Sequence, residues 1–326
     1  MENMNDVATE PRMPPGSRYA GQPIDVSSRR SLIIVDADDR QLSTIANRDH
    51  VVVDYFYHDG QFWRAVVPLG SVAEVYGQAF NFSRIRTQTR NGQPEKIFDE
   101  HGIPKYQIPI LNHVQVRFQL RDPHMIKLYP LGSETTGEPH HAINDFVYSL
   151  EAVGPTGIYF NLRDGMAGNL VSAHRYMSTV EMVFERLVVE RMYVTESPPL
   201  KLDDIDKQEL LWKSLVRCHA AGMTETYYLF RPCGTNNCTS SPFSILDRVV
   251  RYPWANRLGA VLYRLPLSPR FYLRVRGLDS DPTQRKLVRR EFTDYIEEPT
   301  TQARKREYVK RLMKIKRMAK EAEAGS

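Results

Sequence analysis

Tyr227-Tyr228-Leu229-Phe230-Arg231-Pro232-Cys233-Gly234-Thr235-Asn236-Asn237-Cys238 runs into Thr239-Ser240-Ser241-Pro242-Phe243-Ser244-Ile245-Leu246-Asp247-Arg248-Val249-Val250. An aromatic run feeds a Gly/Asn loop, and the loop delivers a cysteine to the start of a helix. The helix is expected because Ser240 and Ser241 are N-cap types, Pro242 suits a first turn, and Phe243, Leu246, Val249 and Val250 share one stripe. Cys238 then lies just before the first turn, where free amides and the helix dipole favour a thiolate. A cysteine so placed is a candidate nucleophile, and the loop amides are candidate donors to an oxyanion. The plainer reading is a half-buried, inert thiol in a capping loop.

Outward from this stretch, the 326 residues are 41% hydrophobic and 10% aromatic, enough to bury a core. Net charge is +5, from 44 basic and 39 acidic residues, a mixed surface that by itself argues little for nucleic acid. Three cysteines make a disulfide framework unlikely and fit a reducing compartment. The N-terminus lacks the pattern of a secretory signal, and no window approaches the roughly 18 apolar residues of a membrane span. The expected location is the cytoplasm, or an exported location reached without such a signal.

In chain order, residues 1–30 read as a disordered tail. Residues 31–104 read as a β-rich region, with a hairpin turning at His58-Asp59-Gly60, a short helix over Ser71 to Phe80 and a polar loop from Asn81 to Lys105. From Asn112 to Leu120, polar and apolar residues alternate as on a half-buried strand that His113 opens. Ser178 with Glu181 forms a capping box, and Leu187 to Val194 reads as a strand. Asp203 or Asp204 caps a strong helix to Ala220. Leu258 to Leu265 and Arg270 to Val275 read as extended. Residues 266–326 form a charged extension whose stretch from Thr301 to Ala324 is a basic helix.

The order of these elements carries a resemblance. Asn112-His113-Val114-Gln115-Val116-Arg117-Phe118-Gln119-Leu120-Arg121-Asp122-Pro123 resembles the histidine strand of the Lnb N-terminal periplasmic domain family, and Asn237-Cys238-Thr239 with Asp247 resembles its closing motif. The likeness spans 105–252. It implies an α+β fold with a permuted papain-like core over 105–265, akin to lecithin:retinol acyltransferase, in which the histidine precedes the cysteine. It also implies Cys238 as nucleophile and His113 as base. Asn112 stands where the family often has Gly, and Ser149 where Asn is common. Asn144, Asp145 and Ser149 are the candidates to orient the imidazole, and Asn237 to orient the loop.

The expected function is cysteine-dependent hydrolysis or acyl transfer on an amide or ester, with a peptide, cell-wall or lipid-linked acyl substrate and no cofactor. Cys218-His219, Cys233 and Cys238 supply zinc-ligand types, but their spacing fits no common finger, so no metal is expected. The rival to an enzyme is a non-catalytic scaffold of the same fold. Its basic helix, with Lys305, Arg306, Lys310, Arg311, Lys314, Lys316 and Arg317, would contact nucleic acid, an anionic membrane surface or a protein partner. A merely solvated charged helix accounts for the same residues, because Glu307, Glu321 and Glu323 interrupt them.

Overall fold

The structure, a computed structural model, describes residues 10–35, 49–90, 92–231, 236–257, 269–279, 281 and 284–324. Its strands are β1 (Ile33–Ile34), β2 (His50–His58), β3 (Gln61–Pro68), β4 (Val72–Asn81), β5 (Thr87–Arg90), β6 (Gln93–Lys96), β7 (Asn112–Leu120), β8 (Ile126–Pro130), β9 (His141–Ile143), β10 (Asp145–Val153), β11 (Leu170–Ser178), β12 (Thr195–Glu196), β13 (Thr226–Tyr227) and β14 (Lys286–Leu287). The helices are α1 (Leu162–Ala167), α2 (Thr179–Val183), α3 (Asp204–Ala221), α4 (Ser240–Val249), α5 (Trp254–Arg257), α6 (Pro269–Val275), α7 (Val288–Glu291), α8 (Thr293–Glu297) and α9 (Pro299–Ala324), and α2 runs on into a π-helical turn, Phe184–Val189.

One 12-stranded sheet holds the molecule together, in the order β14-β12-β4-β7-β10-β11-β2-β3-β8-β9, with β1 beside β2 and β13 beside β11. Its pairings are antiparallel except between β11 and β2. Mostly antiparallel strands with helices on the faces make an α+β protein, as expected. Every second residue of a strand shares a face, and the two faces bury different chemistry. Val114, Phe118, Phe146, Tyr148 and Tyr176 meet Leu211, Trp212 and Leu215 of α3, Phe243 and Leu246 of α4 and Tyr272 of α6 in the largest core. On the other face Tyr57, Phe80, Val147 and Met177 meet Met182, Phe184, Leu187, Val288 and Ile296.

That second face is also where the polar side chains of β7 go. The alternation predicts a half-buried strand, yet His113, Gln115 and Arg117 are all buried. A buried polar group is stable only when bonded or paired, and here Gln115 donates to Gln78 while Arg117 pairs with Asp145, Glu196 and Glu291. The partners come from distant parts of the chain, so the strand alone does not reveal them.

Several expectations change for the same reason. Ser71 to Phe80 is not a helix: β4 lies between β7 and β12, and that pairing overrides local propensity. The polar segment after Asn81 contains the β5–β6 hairpin, with Gly92 in the left-handed region at φ 76°. Leu187 to Val194 is no strand, since its first residues close the π-helical turn, and Arg270 to Val275 is helical in α6. Leu258 to Leu265 lies outside the described residues. The segment from residue 10 to 30, expected to lack structure, places Met13 and Ile24 in a small core with Val153 and Val171, and Arg18 on Asp164. The boundary placed at 104/105 separates β4 from β7, which pair along their whole length within one sheet.

The caps expected at Asp203 and Ser178 form, although the Glu181 carboxylate meets the Gly60 amide and Arg304 instead of closing the capping box on the Ser178 amide. Asp203 accepts from the Asp206 amide to open α3, and Ser178 accepts from the Glu181 amide to open α2. Asp59 and Gly60, both at positive φ, turn β2 into β3. Gly168 closes α1 at φ 71°, and a Cβ added there would sit 2.3 Å from the Tyr228 ring. Gly168→Ala is expected to lose roughly 1–2 kcal/mol from the left-handed backbone alone, with more from the displaced ring. Thermal denaturation measures this, and an unchanged melting temperature would refute it.

Candidate active site

The sheet contains a notch, and Cys238 fills it. β7 and β10 pair from Gln119↔Asp145 only as far as Gln115↔Ser149, although β10 continues to Val153 and β7 begins at Asn112. Asn112 to Val114 therefore face no strand among the described residues on that flank. The Cys238 thiol takes the place of a strand partner, donating to the Asn112 carbonyl at 3.7 Å and lying against the Val114 amide. The thiol is thus lodged against the main chain on both sides of His113.

Cys238 reaches the notch because Asn237 shapes the turn before α4. The Asn237 carboxamide oxygen accepts from the Thr239 and Ser240 amides at 2.9 and 2.7 Å, and its nitrogen donates to the Leu229 carbonyl. Asn237 thus does the N-capping expected of Ser240 or Ser241, and it consumes two of the loop amides expected to serve an oxyanion. The amide of Cys238 itself is directed at the Tyr227 hydroxyl.

His113 projects to the polar face, its ring stacked on Phe80 with centroids 4.7 Å apart and edged by Phe82. Its Nε2 lies 2.8 Å from the Ser149 hydroxyl, which in turn donates to Glu151 at 2.8 Å. A hydroxyl has one proton. With that proton committed to Glu151, the Ser149 oxygen accepts, so Nε2 carries the imidazole proton and Nδ1 keeps its lone pair. Nδ1 has no hydrogen-bond partner among the described residues. Glu151 is anchored by Arg186 from the π-helical turn. Burial would raise the Glu151 carboxyl, but Arg186, with His113, Arg29 and Arg175, holds it well below the usual range.

Electrostatics correct one expectation. A cysteine before a helix is expected to ionise easily, yet the Cys238 thiol is fully buried and burial pushes it up to about 11, against the opposing pull of the Val114 amide and Tyr227 hydroxyl. Burial likewise pushes His113 down to about 4, more than Glu151 can offset. Neither group is charged at neutral pH, and among the described residues no hydrogen bond joins them. Desolvation outweighs the helix dipole here because the sulfur is fully buried.

Of the orienting candidates, only Ser149 meets the imidazole. Asn144 is exposed at the bend between β9 and β10, with its carbonyl accepting from the Leu120 amide. Asp145 is engaged by Arg117 and Thr179. Asp247 pairs with Arg276 across two 2.7 Å contacts, fastening α4 to the turn after α6. Sequence reasoning missed Glu151, Arg186 and Phe80. Glu151 had a usable signal: two residues beyond Ser149 on one strand, it must share that residue's face.

The basic helix forms as α9, longer at its N-terminus than expected. Arg304 pairs with Glu181 and Tyr308 packs edge-on to Phe184, which leaves Arg306, Lys310, Arg311 and Lys314 exposed and Lys305 half-buried. Arg317 is exposed, and the side chain of Lys316 lies outside the described residues. Cys218 is buried in the core under α3, Cys233 lies outside the described residues, and among those described no group of His, Cys, Asp or Glu could hold a metal ion. No described helix is long and apolar enough to cross a membrane. No protein-family model, curated protein or solved structure matches this chain.

Proposed function

We propose that the chain is a cysteine-dependent hydrolase or acyltransferase of the permuted papain-like kind, as the likeness of its Asn112 to Pro123 and Asn237 to Thr239 motifs to the Lnb N-terminal periplasmic domain family implies. The observation that carries this reading is the buried chain of contacts from His113 Nε2 to the Ser149 hydroxyl and on to Glu151, each at 2.8 Å. A buried Ser149–Glu151 relay holds the proton on Nε2 and leaves the Nδ1 lone pair unused, beside a main chain that already contacts the Cys238 sulfur.

The chemistry follows from those groups. Cys238 rotates off the Asn112 carbonyl and gives its proton to Nδ1. The sulfur adds to the carbonyl carbon of an amide or ester, and the Cys238 amide, on leaving the Tyr227 hydroxyl, donates to the resulting oxyanion. The carbon–nitrogen or carbon–oxygen bond breaks as the leaving group takes the proton from Nδ1. Water or an amine then attacks the thioester and returns the thiol. In the closed form the thiol is protonated and covered, so substrate entry must open the site before reaction.

The burial of both groups favours a second reading. A thiol pushed up to about 11 beside an imidazole pushed down to about 4 suits an inert scaffold, whose exposed α9 cations would meet an anionic surface. Iodoacetamide alkylation, located by peptide mass spectrometry, separates the two. The enzyme reading expects Cys238 to label faster than the equally buried Cys218 at neutral pH, and His113→Gln to slow it by about tenfold or more, in keeping with the size of general-base effects. Equal, slow labelling of both cysteines, indifferent to His113→Gln, would leave the scaffold.

A further inference from the structure

A cleft of roughly 400 Å³ opens beside the notch, between the ends of β4 and β7 and the segment carrying Pro104 and Tyr106. It touches the proposed active site at two points. Phe80, which stacks on His113, forms part of its wall, and so does Asn112, whose carbonyl holds the Cys238 thiol. Three cations line it, Arg86, Lys105 and Arg285, and no carboxylate is among its lining residues.

Those cations differ from the other arginines near the sheet. Arg64, Arg117, Arg175, Arg186 and Arg304 each pair with a carboxylate. Arg86, Lys105 and Arg285 make no side-chain hydrogen bond or ion pair with any described residue. Arg86 and Lys105 are exposed and water can satisfy them, but Arg285 is half-buried. A guanidinium withdrawn from water without a partner is costly, and its planar fork matches the oxygens of phosphate or carboxylate.

We propose that this cleft binds an anionic small molecule, with Arg285 gripping a phosphate or carboxylate group and Arg86 and Lys105 completing its charge. Burial and the neighbouring Arg270 lower the Arg285 guanidinium to about 10, and Asp279 and Asp99 only partly offset this, so an anion in the cleft relieves an existing penalty. Tyr106 and Tyr193 give the rest of the ligand flat apolar surface. That the ligand is the acyl substrate rests on the proposed function, whereas the binding of an anion does not.

The test is calorimetric titration of the full chain at low salt with pyrophosphate and, separately, citrate. At least one is expected to bind, and Arg285→Gln to weaken it by about tenfold or more, the scale of a charge-assisted bond. Arg311→Gln on α9 is expected to leave binding unchanged. Binding of pyrophosphate alone assigns the cleft to phosphate, and of citrate alone to carboxylate. Should Arg285→Gln fail to fold, Lys105→Gln on the exposed rim serves instead, with a several-fold weakening expected from one lost charge at short range. The proposal is overturned if neither anion binds, if the cleft variants bind as wild type does, or if Arg311→Gln abolishes binding. Cys238 labelling in His113→Gln bears on the enzyme reading alone, so the two fail separately.

Discussion

Replacing Arg117 by Met is expected to destabilise the fold by about 3–5 kcal/mol, the cost of breaking a buried ion pair from one side. Arg117 stands in the middle of β7 with its side chain 1% exposed, and its guanidinium reaches three carboxylates on three other elements. It bonds Asp145 of β10 at 2.9 and 3.1 Å, Glu196 of β12 at 3.0 Å and Glu291 of α7 at 2.7 Å. Asp145 and Glu291 are partly exposed and can turn to water. Glu196 cannot, because its side chain is 2% exposed, and among the described residues it would keep only the Gln78 amide. The variant should therefore regain much of its stability when Glu196→Gln removes the stranded charge. Urea denaturation of both variants measures this. A loss under about 1 kcal/mol in Arg117→Met, the scale of a surface pair, would contradict the account.

Acid should destabilise the protein well above the carboxylate range, and His113 should account for much of the loss. Its folded value lies near 4 and its ordinary value at 6.5, so between these the unfolded chain binds a proton that the folded chain refuses. Stability is then fully present above about pH 6.5 and falls as the pH drops towards 4. For a shift of this size the contribution is about 2 kcal/mol between pH 7 and 5. His174, buried with its Nε2 unbonded and held well below its ordinary value by burial, acts in the same direction. His113→Gln should flatten the pH dependence of the denaturation midpoint over this window. A variant whose curve runs parallel to wild type would mean that His113 is solvated and that its Nε2 proton is not held by Ser149.

Both expectations concern groups whose identity was visible in the chain and whose environment was not. His113 and Arg117 stand out on an alternating strand, but period two says only that they share a face. Whether that face meets water depends on α2, the π-helical turn and α8, which arrive from later in the chain. The same holds for Cys238. Its place before a helix was legible from the Ser, Pro and apolar spacing, and α4 begins at Ser240. The direction of its pKa was not legible, because helix dipole and burial act oppositely and only the packed structure sets their balance. β4 shows the limit from the other side: an ambiguous run from Ser71 to Phe80 becomes a strand because β7 and β12 supply hydrogen bonds on both flanks.

What the sequence by itself determined was local: the caps at Ser178 and Asp203, the Asp59-Gly60 turn, the alternation of β7, the start of α4 and the long basic α9. Each depends on side chains within a few residues of one another, and such interactions survive without knowledge of the rest of the fold. What only the tertiary structure decided was non-local. The early end of the β7–β10 ladder makes the notch that receives Cys238, the register of β7 on β10 brings Ser149 to His113, and the π-helical turn delivers Arg186 to Glu151. Strand register and sheet order bring together residues far apart in the chain, and the charge state of a buried group follows from that company.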